Sequence, residues 1–120
     1  NIRPINLTSH MELVIEEGAR IRGIAGVSLW PILPALPSYG QGRDHVGPRH
    51  TSLIHGEHLV NVTIRGQNPK TSIIDGNGEY WWKRHNAPNQ PETITRGSLI
   101  EFMYTTDLRI YDIGLQNSPF

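Results

Sequence analysis

Leu59-Val60-Asn61-Val62-Thr63-Ile64-Arg65-Gly66, followed by Ser72-Ile73-Ile74-Asp75-Gly76-Asn77-Gly78-Glu79-Tyr80-Trp81-Trp82, is the stretch whose reading decides the fold. Both runs are rich in β-branched residues, which suit a pleated surface. Both stop at a glycine, Gly66 and Gly76, expected to turn the chain without steric cost. Short strands punctuated by glycine at close spacing describe a coiled β architecture better than a helical one.

The same pattern extends outward from this stretch. Met11, Leu13 and Ile15 alternate with Glu12 and Val14, and Gly18 and Gly23 leave a helix little length. Two short strands around a turn are therefore expected over residues 11–24. Further strand runs occupy Ser52 to Ile54, Ser98 to Tyr104, Leu108 to Tyr111 and Ile113 to Leu115, with a polar connection from Lys83 to Pro91. A weak echo aligns Leu59-Val60-Asn61-Val62 with Leu108-Arg109-Ile110-Tyr111, then Gln67-Asn68 with Gln116-Asn117. Stacked short strands at irregular spacing are what a β-solenoid needs. Trp30-Pro31 through Pro34 and Pro37 is different in kind. Its prolines each remove an amide donor, so residues 30–50 are expected as a loop excursion held against the body by its apolar side chains.

Composition bounds the rest. A chain of 120 residues fits one domain. Eleven basic and eleven acidic residues cancel, which gives no electrostatic pointer to nucleic acid or an anionic membrane. No apolar stretch approaches the roughly 20 residues of a spanning helix. Without cysteine the chain has no disulfide framework, thiolate metal site or cysteine nucleophile. The chain begins at Asn1 with no charged start and apolar core, and a processed chain or a fragment is the expectation.

Three ordered blocks carry a family resemblance. The first is Leu7-Thr8-Ser9-His10 with Met11 to Gly18. The second runs from Trp30-Pro31 through Pro37-Ser38-Tyr39-Gly40-Gln41-Gly42-Arg43 to Ser52-Leu53-Ile54-His55-Gly56. The third is Ile73 to Gly78 with Trp81-Trp82, then Arg96 with Leu99-Ile100-Glu101-Phe102, and Gln116-Asn117-Ser118-Pro119-Phe120. Together they resemble the N-terminal part of the plant-type polygalacturonases, pectin-degrading glycoside hydrolases of cell walls. Asn77 stands where that family would carry glutamine. The resemblance implies an all-β, right-handed parallel β-helix, with residues 1–120 the N-terminal portion of a single β-helix domain. It also implies a secreted, cell-wall protein, monomeric at full length, that hydrolyses the α-1,4-linked galacturonan of pectin with inversion.

The family's catalytic signatures are an Asn-x-Asp element, an Asp-Asp pair, a Gly-His-Gly element and an Arg-x-Lys element, on coils that follow its Asn-Ser-Pro-Phe segment. None occurs in this sequence: Asp44, Asp75, Asp107 and Asp112 are isolated, and no histidine is flanked by glycines. Inverting hydrolysis needs a protonated carboxyl and a carboxylate about 6.5 to 9.5 Å apart. No catalytic, cofactor-binding or metal residue is therefore assigned, and no cofactor is expected.

Other candidates meet plainer explanations. His45, His50, His55 and His58, with Asp44 and Glu57, offer zinc-type ligands at a spacing that matches no known finger. A polar loop running into a strand accounts for them better. Tyr80, Trp81 and Trp82 could form a sugar-stacking platform. On a strand only one tryptophan could face a ligand, and packing of one ring at the core's end with its neighbour under a loop is favoured. Asp75-Gly76-Asn77-Gly78 lacks the ligands of a calcium or phosphate loop and reads as a coil corner. Lys83, Arg84 and Arg96 could touch an acidic polysaccharide, with solvated charge the simpler reading. Asn6-Leu7-Thr8 and Asn61-Val62-Thr63 match the glycosylation sequon, and Asn6 is preferred because Asn61 falls inside an expected strand.

The leading expectation is a polygalacturonase-like segment that is inert by itself. Its uncovered strand edge near Ile113 to Leu115 should leave it marginally stable or prone to aggregate. The alternative is a non-catalytic pectin-binding or structural solenoid.

Overall fold

Three short strands per coil, stacked three coils deep, make up the body of the molecule. The computed structural model describes residues 1–37, 44–89 and 92–120. The family-like segment from Ser38 to Arg43, and the end of the polar connection at Gln90 and Pro91, lie outside the described residues.

The first coil carries β1 (Ile5–Asn6), β2 (Met11–Ile15) and β3 (Arg20–Arg22). After the short strands β4 (Ile32–Leu33) and β5 (Arg49–His50), the second coil carries β6 (Ile54–Glu57), β7 (Val60–Gly66) and β8 (Ile73–Asp75). A helix, α1 (Glu79–His85), leads to the third coil of β9 (Ile100–Met103), β10 (Thr106–Tyr111) and β11 (Gly114–Gln116). Each coil lays one strand on each of three parallel sheets, ordered β1-β6-β9, β2-β7-β10 and β3-β8-β11. The chain is a parallel β-helix, as the family resemblance implies.

Register turns sequence pattern into core. Ile5 and Ile100 flank Ile54, Met11 and Leu108 flank Val62, and Ile21 and Leu115 flank Ile74. The middle members Ile54, Val62 and Ile74 are fully buried, because a rung covers them on either side. Each such side chain contributes about 1.5 to 3 kcal/mol. The third rung is less covered: Ile110 is 39% exposed and Leu115 49%.

The structure revises four expectations. The echo in the sequence has the wrong offset: Leu108 lies beside Val62, not Leu59, and Gln116 lies beside Asp75, not Gln67. Unequal corner lengths between the coils shift the alignment. Gly66 and Gly76 do not supply a left-handed turn, since neither has positive φ. Close approach of the next coil requires them instead. A Cβ on Gly66 would lie 2.1 Å from the Asp112 carbonyl oxygen, and one on Gly76 would lie 2.4 Å from that of Asn117. Left-handed corners fall on other residues, and His10, Asn61 and Asp107, one from each coil and in register, have φ of 57°, 57° and 58°. Asparagine and aspartate tolerate that conformation best after glycine.

The proline-rich excursion is also not wholly outside sheet structure. Ile32 and Leu33 pair antiparallel with His50 and Arg49. This two-residue ladder lies between Pro31 and Pro34, so neither ring has to donate to it. Lastly, Tyr80-Trp81-Trp82 belongs to helix α1 and not to an extended run. Strand β8 ends at Asp75, residues 76–78 lead from it to the helix, and Glu79 to His85 contain no β-branched residue to oppose helix.

Candidate functional site

Helix α1 sorts its aromatic residues by helical geometry, and that sorting builds the most distinctive surface of the molecule. Trp81 points inward and is 1% exposed. Its ring meets Trp30 edge-on at 5.2 Å, Tyr80 at 5.6 Å and His50 at 5.2 Å between centroids. Hydrogen bonds fix this plug: the Trp30 indole donates to the Ile24 carbonyl at 2.9 Å, and the Val27 amide donates to the Tyr80 hydroxyl at 3.0 Å.

Trp82 points the other way and is 38% exposed. Its indole N–H donates to the Ser118 carbonyl at 3.0 Å, which holds the ring against the end of the third coil. The expectation that both rings pack, one at the core's end and its neighbour under a loop, holds for Trp81 but not for the partly exposed Trp82, and the helix rather than a strand sets their directions. Beside Trp82 lies an open polar groove of about 370 Å³, lined by Arg22, Asn77, Gly78, Glu79, Trp82 and Asn117.

Buried Asp75 ties together two residues that line the groove, Asn77 and Asn117. Its carboxylate accepts hydrogen bonds from the Asn77 amide at 2.8 Å, the Asn117 side chain at 3.2 Å and Arg20 at 2.9 Å. Burial alone would raise its pKa. The Asn77 and Asn117 hydrogen bonds, with the charges of Arg20 and Arg22, outweigh burial and hold the carboxyl below the usual range. Arg22 donates to the Asn77 side-chain oxygen at 2.7 Å, and Asn77 donates to the Gly23 carbonyl at 3.0 Å. One of the five guanidinium donors of Arg22 is thus held by Asn77, while the side chain stays 49% exposed. Neither Arg20 nor Arg22 was singled out from sequence, because only the register brings β3 beside the glycine turn.

The basic residues that were singled out are ion-paired rather than merely solvated. Lys83 meets Glu79 at 2.7 Å, and Arg84 meets Glu92. Arg96 grips Asp44 through two side-chain nitrogens at 2.8 and 3.1 Å. Burial would raise the Asp44 carboxyl, but Arg96 more than offsets this and lowers it. Glu101, in turn, meets buried Arg49 at 2.9 Å. Four well-covered carboxylates therefore each have an arginine partner.

The histidines are scattered. His50 approaches the Trp30 carbonyl at 2.9 Å, His55 approaches Glu101 at 3.4 Å, and His58 stacks on Tyr104 at 4.7 Å. The backbone N–H of His45 donates to the Thr95 hydroxyl. Among the described residues, no three metal-binding side chains converge. Asn6 and Asn61 are both exposed, and both lie in strands, so the strand argument does not separate the two sequons. No helix among the described residues is long and apolar enough to cross a membrane.

Comparison with known proteins adds a relative to this geometry. A probable polygalacturonase of Vitis vinifera is 42% identical over 114 residues, which cover 95% of this chain. The chain spans 22% of the length of that relative. No family model matches the chain, and no solved structure matches it. The ordered blocks, the parallel coils and this identity along almost the whole sequence agree, and the chain is similar to the N-terminal part of a polygalacturonase.

Proposed function

We propose that this chain is a non-catalytic, N-terminal coil segment of a secreted glycoside hydrolase that cleaves the α-1,4-galacturonosyl linkages of pectin with inversion. The observation that carries this reading is the 42% identity to a probable polygalacturonase over 95% of the chain. Two further observations support assigning the chemistry to other coils. No paired aspartates or glycine-flanked histidine occur in the sequence. In addition, Asp44 and Asp75 each face an arginine and are held below the usual carboxylate range, which opposes the proton that a general acid must hold.

The test is reducing-end release from polygalacturonate. The 120-residue chain should release none, while the full-length polypeptide should release ends that appear first as the β-anomer by proton NMR. Hydrolysis by the short chain would overturn the placement of the acids elsewhere. A full-length polypeptide without activity on polygalacturonate would overturn the substrate assignment. A second reading, a pectin-binding segment, is favoured by the exposed Trp82 beside Arg22.

A further inference from the structure

The groove between Arg22 and Trp82 has the parts of a site for an acidic sugar, and none of the residues on it belongs to the family's catalytic signatures. We propose that it is a binding subsite for one hexuronate ring of a galacturonan chain. In this subsite Trp82 offers an aromatic face to the pyranose, and Arg22 pairs with the ring's carboxylate. The proposal rests on the pectin reading above and assigns that polymer a contact remote in sequence from the chemistry.

Three features argue for a built site rather than a chance hollow. First, the volume of about 370 Å³ lies in the range of small-ligand pockets. Second, its walls are fixed in advance. Trp82 is held by the Ser118 carbonyl, Arg22 by Asn77, and Asn77 by the Gly23 carbonyl, so little side-chain freedom is lost on binding. Third, the chemistry is matched to a uronate. An exposed aromatic face suits the C–H surface of a sugar. A guanidinium forms paired, charge-assisted hydrogen bonds with a carboxylate. The side-chain amides of Asn77 and Asn117 line the same groove and suit hydroxyls.

The groove's lining carries one cation, Arg22, and one acid, Glu79, and the acids near Arg22 are each engaged by another cation. Arg20, Arg22 and Lys83 oppose Asp75 and Glu79. Asp75 is 3% exposed and engaged by Arg20, Asn77 and Asn117. Glu79 is exposed and paired with Lys83, and it also feels the charge of Arg22 across the groove. Among the described residues lining the groove it is the one acid, and it should weaken uronate binding.

Equilibrium dialysis of the 120-residue chain against trigalacturonate, with neutral galactotriose as control, tests the proposal. Trigalacturonate should bind at least tenfold tighter than galactotriose. Arg22→Gln should weaken it about tenfold, and Trp82→Ala by a similar factor. Trp82→Phe, which keeps an aromatic face, should stay within about threefold of the parent, and Glu79→Gln should tighten binding. Near-ultraviolet circular dichroism establishes that each variant is folded, and Trp82→Phe guards against loss of the Ser118 contact. If trigalacturonate binds the parent, Arg22→Gln and Trp82→Ala equally, the subsite is wrong while the pectin reading stands. Equal binding of galactotriose overturns the uronate assignment. Absence of binding to the parent overturns the subsite, and the hydrolysis assay on the full-length polypeptide then judges the pectin reading separately.

Discussion

Arg20 and Asp75 meet at 2.9 Å across neighbouring coils although they are not register partners. Arg22 sits beside Asp75 in the ladder, yet its closest approach is 3.9 Å. The guanidinium of Arg22 turns instead to Asn77, which leaves Asp75 to Arg20, the Asn77 amide and Asn117. One carboxylate thereby ties the first coil to the second and the second to the third.

Removing that charge should loosen all three coils. Asp75→Asn keeps the size but leaves the surrounding donors with a poorer acceptor, at a cost of about 2 kcal/mol. Urea denaturation at neutral pH checks this.

The same group, with Asp44, should make the fold acid-sensitive. Both carboxyls titrate lower in the folded chain than in the unfolded one. The unfolded chain therefore binds more protons as pH falls, and stability falls with it. The contribution is complete well above pH 4 and is lost progressively below about 4. Urea midpoints measured from pH 6 to pH 2.5 should drop for the parent and drop less for Asp75→Asn.

The adjacent tryptophans should differ sharply. Trp81→Ala empties the plug between Trp30, Tyr80 and His50 and should cost about 3 to 5 kcal/mol. Trp82→Ala loses one hydrogen bond and a partly exposed ring, for about 1 kcal/mol. Thermal melts of the two variants compare them directly.

How far the sequence revealed this can be judged from particular residues. Alternation at Met11, Leu13 and Ile15, and the β-branched runs around Val62 and Ile74, exposed the strands because apolar spacing is a local signal. Register was hidden, since corners of different length break any fixed repeat, and the Leu59–Leu108 echo misled for that reason. Helix α1 was missed because the aromatic run Tyr80-Trp81-Trp82 suits a strand and was read as extended. The Arg22 groove was invisible because Arg22 and Trp82 are neighbours only through the coil.

Gly66→Ala should be poorly tolerated. The new methyl group would press on the Asp112 carbonyl of the next coil and on the Ser72 Cβ at 2.6 Å. Overpacking against backbone costs about 1 to 3 kcal/mol. Ala at this site should lower the melting temperature with little change in far-ultraviolet circular dichroism at room temperature.

The third coil's uncovered face should drive self-association. Ile110, Tyr111 and Leu115 are exposed on edge strands β10 and β11. Charge on an edge blunts it, so Leu115→Lys should raise the concentration at which light scattering appears on heating.

Stacking register is the claim on which the site, the pairings and the proposed subsite all depend, and a disulfide reads it most directly. The chain has no cysteine to interfere. Thr63 and Arg109 are register partners on β7 and β10. Neighbouring strands lie about 4.8 Å apart, within reach of a disulfide. The double variant Thr63→Cys with Arg109→Cys should close an intramolecular disulfide on dilute air oxidation, seen as two protected thiols by alkylation and mass spectrometry. If both thiols stay reactive there, while Thr63→Cys with Asp112→Cys closes instead, the coils stack in the register of the sequence echo and the account is contradicted.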